Sequence, residues 1–507
     1  MSNNKTRRGL GFCWLGLSVL LVASPVRSVA SNWARLTNLA PASPGTMMLL
    51  SDGTIMVQNN NDLSGWMRLK PDIHGSYING TWVQDIKPMH LARLYFASNV
   101  LSSGKVWVLG GEYSGSFLSQ DITPEGEIWD PVANSWSPIR SYPSGFFGDD
   151  PSMLLPGGRI LAGDIFSNQP EIYNIGTNIW SAAASKVYDD RSDEESWTKL
   201  GNGNVLTYDI FQTIATGKGY AEMYNPIANA WSSISPADGS ARGVLPVLTS
   251  SVLGFELGPI LRLQDGRAFV IGANGHTALY EPSTNTWAEG PDTPSGFGAD
   301  DAPAAEMPNG HIVYAADNVP AGLFNPPTKI FEFNPIAETT VEVTPDEDPN
   351  LSFVPSFVTR MLTLPTGQVL FADSSEQLWV YTGDGVPNPA LRPVVNNVAY
   401  SGGAIFTLTG KRLNGQSAAA SYGDDAESDE NYPLVRLTSS TGNVYYCRTS
   451  NWSTVGVDGG MALQTVNFTL HPAVRAGNYA LTVVGAGIPS FPIFVNIKQN
   501  EVDVDEK

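Results

Sequence analysis

Four segments of this chain share one pattern: a tyrosine or tryptophan, then a tryptophan seven residues later, with asparagine two places before the second ring. They run from Trp129 through Asn134 to Trp136, Tyr173 through Asn178 to Trp180, Tyr224 through Asn229 to Trp231, and Tyr280 through Asn285 to Trp287. Each reads as the end of a strand, a tight turn and the start of the next strand. Where proline follows the first aromatic it presets φ, and asparagine tolerates the left-handed backbone such a turn needs. One hairpin constrains little. Four in register require a repeat architecture, in which each unit buries its rings against the next.

Seven turn-then-strand units fill the other half of the pattern. Their turn glycines are Gly53, Gly104, Gly158, Gly203, Gly266, Gly310 and Gly367, spaced 51, 54, 45, 63, 44 and 57 residues apart. That spacing lies near the ~50-residue period of kelch repeats. An apolar run precedes each glycine, so a unit holds four antiparallel strands and cannot bury its faces alone. Stacked radially, the units predict an all-β fold, a seven-bladed kelch β-propeller over residues 31–385. The seventh unit has three strands and no downstream tryptophan strand. The segment Asn32-Trp33-Ala-Arg-Leu36 is expected to supply the missing outer strand and so remove an exposed edge.

Composition sets outer limits. Residues 1–30 read as a signal peptide, with a basic start (Lys5, Arg7, Arg8), an apolar run over 10–23 and Ser28-Val-Ala30 as a small-residue cleavage site. The apolar run is too short for a membrane span, and no later one reaches ~18 residues. The expected location is therefore extracellular or periplasmic, after cleavage near Ala30. Without that leader the chain has 25 Lys and Arg against 49 Asp and Glu, a net of −24. Such a surface repels nucleic acid and anionic membranes. Cys13 leaves with the leader, Cys447 stands alone, and the five histidines have no zinc-type spacing.

After a Pro/Gly-rich linker, alternating strands over 386–499 predict an immunoglobulin-like (E-set) β-sandwich. The acidic segment 422–431 has carboxylates enough for calcium but not EF-hand spacing, and reads as a solvated loop. The acidic tail, 500–507, reads as disordered.

Residues 89–140, with Met89-His-Leu-Ala-Arg93-Leu-Tyr95 and Val-Leu-Gly110-Gly111-Glu-Tyr113-Ser-Gly, resemble a blade of galactose oxidase and the related glyoxal oxidases. The resemblance implies the same propeller-plus-sandwich architecture over nearly the whole chain beyond the leader. In that family a copper ion and a cysteine-crosslinked tyrosyl radical oxidise primary alcohols or aldehydes. Tyr95 matches the radical tyrosine, and Tyr113 matches the tryptophan stacked on it. The other cofactor places hold Ser43 for the crosslinking cysteine, Phe357 and Val358 for the Tyr-His pair, and Ser453 for the remaining histidine. Copper(II) wants imidazole and phenolate donors. No copper is therefore expected, and no cofactor is assigned.

Propellers gather functional residues where the loops leading into the innermost strands converge. Here those loops carry Asp149-Asp150, Asp300-Asp301 and Glu194-Glu195, with Arg93, Tyr95 and Arg360 at similar places and Tyr113 nearby. Together they are candidates for a mouth that holds a cation or grips sugar hydroxyls. A second reading makes each Asp-Asp a loop cap that accepts backbone amides. The sequence thus points to a monomeric, exported, non-catalytic module that binds a glycan or an extracellular protein. The competing reading is a carbohydrate-active enzyme or oxidase with a divergent site on the same face.

Overall fold

The computed structural model describes residues 32–504, apart from 116, 189, 251–255, 320, 321, 323, 417–419, 423–430, 458, 459, 499 and 500. The expected leader and most of the acidic 422–431 loop lie outside the described residues. Among these residues, seven successive sheets each contain a run of four antiparallel strands. The first comprises Pro44–Leu49, Ile55–Asn59, Trp66–Lys70 and Thr81–Val83. In the seventh, Arg360–Thr363, Val369–Ala372 and Trp379–Tyr381 are joined by Trp33–Arg35, which pairs Trp33 with Tyr381 across a span of more than three hundred residues.

Burial runs from centre to rim. The first strands of the sheets are buried throughout: Pro44–Leu49, Ala97–Val100, Ser152–Leu155, Trp197–Lys199, Ile260–Arg262, Pro303–Glu306 and Arg360–Thr363. Outer strands such as Ser135–Pro138 and Ile179–Ala182 bury one residue in four. First strands of consecutive sheets lie side by side from Ala97–Val100 to Ile260–Arg262, and from Pro303–Glu306 through Arg360–Thr363 to Pro44–Leu49. Between Ile260–Arg262 and Pro303–Glu306 sits Ala420–Tyr422, a strand from the C-terminal region that pairs with Pro303–Glu306.

The repeat pattern has a direct physical role. Trp129, Tyr173, Tyr224 and Tyr280 stand opposite Trp136, Trp180, Trp231 and Trp287 in the two-strand register. The turn asparagines Asn134, Asn178, Asn229 and Asn285 all have φ near +50°. Three of them accept a hydrogen bond from the tyrosine hydroxyl at 2.9–3.0 Å. The same side chains reach the preceding sheet: Asn178 accepts from Arg140 N and Asn229 from Ala184 N. Trp136 and Trp180 indoles donate to Lys87 O and Arg140 O. Each hairpin therefore latches one sheet to its neighbour. A short helix, Ile210–Thr216, is an insertion that the strand pattern does not foreshadow; Asp209 caps its start and Gly217 its end.

The C-terminal strands form one continuous path from Val394–Gly402 and Ile405–Lys411 through Gln464–Thr469, Val444–Ser450, Leu434–Ser439 and Gly477–Gly485 to Ile493–Lys498 and Glu501–Val504. The segment Glu501–Val504, expected to be disordered, is a strand against Ile493–Lys498. Its Glu-Val-Asp-Val alternation and an open edge beside it are enough to extend the sheet. This region packs under the glycine turns. Thr449 N donates to Ser51 O at 2.9 Å, Val444 N to Ile73 O at 2.7 Å and Lys199 Nζ to Val455 O at 2.7 Å. A single buried cluster runs from Met47 and Trp66 to Val435, Phe468 and Leu481.

Candidate functional site

The segments leading into six of the seven first strands each send a side chain into one cavity: Tyr95, Asp149, Glu194, Glu256, Asp301 and Phe357. Its volume is about 480 Å³. Glu112, Tyr113 and Leu118, in the segment after Val106–Leu109, complete the wall with Leu94 and Phe324. Four of the six share an unusual backbone: Tyr95, Asp149, Glu194 and Asp301 have φ of +52°, +53°, +63° and +47°. Non-glycine residues avoid this region, and each such residue costs on the order of 1 kcal/mol. The same strained kink, placed just before four inner strands, turns each side chain toward the axis. Neighbouring loops brace it, with Glu112 N donating to Tyr95 O and Glu194 N to Asp149 O, both at 3.1 Å.

The cavity has two chemistries. Four rings form a chain: Tyr113 to Tyr95 at 6.2 Å, Tyr95 to Phe357 at 6.4 Å and Phe357 to Phe324 at 4.8 Å between centroids. Five carboxylates, those of Glu112, Asp149, Glu194, Glu256 and Asp301, share the space. One oxygen from each of Glu194, Glu256 and Asp301 lies within 4.8 Å of the other two. Burial, with Glu112 and Asp149 nearby, raises the Tyr113 phenol above its ordinary value.

Five of the expected mouth residues line this cavity: Tyr95, Tyr113, Asp149, Glu194 and Asp301. Five do not. Arg93 is fully buried; its Nη1 donates to Gly110 O and Glu125 O at 2.5 and 2.7 Å, and its Nη2 pairs with Glu127 Oε1 at 3.1 Å. Arg360 turns back on its own loop, donating to Phe357 O and Thr359 O at 2.7 and 2.8 Å. Asp150, Glu195 and Asp300 are each buried beside a doublet partner that faces the cavity. The left-handed backbone at Asp149, Glu194 and Asp301 turns that member of each doublet toward the cavity and leaves its neighbour buried. Asp300 Oδ2 accepts from Phe324 N at 3.1 Å and helps hold the ring-bearing loop. Burial, reinforced by Asp317, pushes its pKa up to about 8.

Glu195 belongs to a separate buried group. Its Oε1 lies 2.5 Å from Lys186 Nζ, and Trp197 Nε1 donates to its Oε2 at 3.2 Å. Asp190 and Asp209 converge on the same place, and both accept from Gln212 N at the start of the helix. The lysine is an internal counter-ion there. Asp164, Asp317 and Asp373, at the ends of second strands, accept the backbone amides of Phe166, Ser356 and Ser375.

Glu112, Glu256 and Phe324 escaped sequence reasoning. Glu256 was legible: it precedes its first strand, Ile260–Arg262, as Asp149 and Glu194 precede theirs, but stands alone rather than in a doublet. Phe324 had no such signal.

The places that the galactose oxidase resemblance marks for copper hold a poor donor set. Tyr95 supplies a phenol, and Phe357 beside it supplies only a ring face. Ser43 Oγ donates to Ser374 O at 2.7 Å, and Ser453 Oγ accepts from Thr465 N at 2.9 Å within the C-terminal domain. The imidazoles of His90, His276 and His311 pair with Glu127, Asp292 and Glu332, outside the cavity. Of the places the resemblance marks for copper, only Tyr95 carries a donor of the phenolate or imidazole kind that copper(II) prefers.

No family model matches the chain. The kelch-like protein terF of Aspergillus terreus is 24% identical over 351 residues, covering 61% of this chain and 72% of that protein. The fold is a kelch-like β-propeller. Among solved structures, a fungal alcohol oxidase of the AA5 family in complex with copper matches at 14% identity, with a TM-score of 0.49 and coverage of 91% of this chain and 98% of that one. YCF48 bound to D1 peptide matches at 14% identity, with a TM-score of 0.46 and coverage of 71% and 98%. Among the described residues no helix is long and apolar enough to cross a membrane.

Proposed function

We propose that this protein is an exported, non-catalytic binding module whose propeller mouth holds a glycan. The observation that carries the reading is the cavity itself: four linked rings and five carboxylates gathered from separate sheets into about 480 Å³. Rings offer flat apolar faces to the C–H side of a sugar, while carboxylates accept hydrogen bonds from its hydroxyls. A concave site of this size suits a few sugar units better than the flat patch a protein partner needs. Export is supported by the leader-like residues 1–30 and the acidic balance of the rest. The absence of catalysis is supported by the donors at the copper places, which carry no imidazole.

A glycan array probed with the full chain tests the reading. Wild type should bind a discrete set of glycans, and Tyr95→Ala or Phe357→Ala should weaken that binding at least tenfold while leaving the unfolding transition cooperative. Unchanged binding in both variants would remove the mouth from the argument. Copper-dependent peroxide release from primary alcohols or aldehydes would overturn the non-catalytic part.

A further inference from the structure

We infer that the cleft where the first sheet of the propeller meets the C-terminal strands is a binding site in its own right, and that it takes an organic monocarboxylate on Arg448. The cleft has a volume of about 520 Å³ and shares no residue with the mouth, so the glycan reading stands or falls apart from it. Its walls come from both regions. Asp52, Arg68 and Lys70 belong to the first sheet and its glycine turn, whereas Tyr445, Arg448 and His471 come from Val444–Ser450 and the segment after Gln464–Thr469. Backbone hydrogen bonds pin Val444–Ser450 to the propeller at both ends, from Thr449 N to Ser51 O at 2.9 Å and from Val444 N to Ile73 O at 2.7 Å. A cleft pinned in this way is largely formed before a ligand enters, which lowers the ordering cost of binding.

The charges of the cleft are matched, with a single exception. Arg68 Nη1 lies 3.4 Å from Asp52 Oδ2, and its Nε lies 3.0 Å from Asp85 Oδ1. Lys70 Nζ lies 3.2 Å from the other Asp85 oxygen. Asp72 Oδ1 accepts from the amides of His74 and Ser76 at 2.9 and 2.8 Å. Arg448 is partly buried, and its side chain has no hydrogen bond or ion pair among the described residues. In a chain with 49 acidic and 29 basic residues a cation finds partners easily, so an unmatched guanidinium inside a cleft is informative. His471 adds a donor rather than a charge. Its Nδ1 accepts from Ala473 N at 3.1 Å, which leaves the proton of the neutral ring on Nε2. Burial and Lys70, against the pull of Asp52, hold its pKa below the ordinary value.

One unmatched guanidinium fits one carboxylate, whose two oxygens meet its planar fork in a bidentate pair. A phosphate monoester carries about −1.5 to −2 at pH 7, and would share the cleft with the carboxylates of Asp52 and Asp72. The remaining wall sets the body of the ligand. Pro71, Ile73, Val444, Leu470 and Pro472 present apolar surface, and the Tyr445 ring stands 5.7 Å from the His471 imidazole. Ile73 is half exposed, so the cleft on its own leaves apolar surface in water. An inorganic anion would leave that surface wet, whereas a carboxylate with an aryl or alkyl body covers it.

Calorimetric titration of the full chain with phenylpropionate at pH 7 and fixed salt tests this, beside phenylpropanol as the neutral counterpart and phenylethyl phosphate as the more highly charged one. The carboxylate should bind saturably, and at least about tenfold more tightly than either. Arg448→Gln removes the charge, and Ile73→Asp sets a carboxylate on the apolar wall; each should weaken phenylpropionate at least about tenfold. Denaturation midpoints keep folding defects apart from binding defects, and either substitution alone suffices if the other fails to fold. No saturable binding, or binding that the folded variants leave unchanged, would overturn the site. Equal binding of the alcohol would overturn the role of Arg448, and equal or tighter binding of the phosphate would overturn the choice of a monocarboxylate.

Discussion

At the scale of single residues, the deciding feature is how this chain disposes of its charges. Arg93 looked like a mouth residue because it lies two places before Tyr95. It is instead a fully buried strut between two loops, and Glu127, its partner, also accepts from the amides of His90 and Leu91. Removing one member of such a pair strands the other in low dielectric. Arg93→Ala should therefore cost about 3–5 kcal/mol in urea unfolding, far more than the substitution of a surface arginine. An unchanged midpoint would mean that the pair is not internal. The acidic doublets teach the same lesson. Their positions were legible from the repeat, but which member faces the cavity depends on a left-handed kink at Asp149, Glu194 and Asp301 that composition does not encode.

At the scale of elements, the hairpins were the most legible part of the chain, because the residues that bracket each turn also bind the next sheet. The glycine turns have two distinct roles on that background. Gly53 has φ of +74°, and a Cβ there would sit 2.5 Å from the Tyr446 ring in the C-terminal domain. Gly203, at +84°, has no atom within 4 Å of that place. Gly203→Ala should thus cost only the left-handed strain, ~1 kcal/mol. Gly53→Ala should add overpacking of ~1–3 kcal/mol and loosen the docking of the two regions. Paired denaturation curves, with limited proteolysis of the Gly53 variant, check both; equal losses would argue against the docking role. The helix Ile210–Thr216 was not legible. Its residues are ordinary strand-compatible types, and its start is fixed by the Asp209 cap after the chain has left the sheet.

At the scale of the whole molecule, buried carboxylates set the response to pH. Burial, helped by hydrogen bonding with Asp209, lifts Asp190 to about 8, and burial lifts Asp300 to about 8. Glu222 reaches about 7 against the pull of Lys186, and Asp317 about 7 against the Ser356 amide. Folded values above the unfolded ones mean that the native state keeps protons which the unfolded chain releases. Stability is therefore full below about pH 4 for these groups and falls as pH rises toward 8. Asp238 works the other way: hydrogen bonds from Ser240, Ser233 and Tyr188 outweigh burial and hold it at about 2, so it acts only in more acid solution. Chemical denaturation should find the protein less stable at pH 8 than at pH 5 by ~2 kcal/mol or more, with a shallower slope in Asp300→Asn. A flat profile over that range would contradict these shifts.

Local pattern determined the all-β repeat, its hairpins and its glycine turns, because period, turn chemistry and aromatic spacing act over a few residues and need no distant partner. Tertiary structure alone decided the site. Trp33 meets Tyr381, and Ala420–Tyr422 meets Pro303–Glu306, only when the ring is assembled. Glu194, Glu256 and Asp301 become neighbours for the same reason. A cavity lined from six separate sheets is a property of closure, and no single stretch of chain carries it.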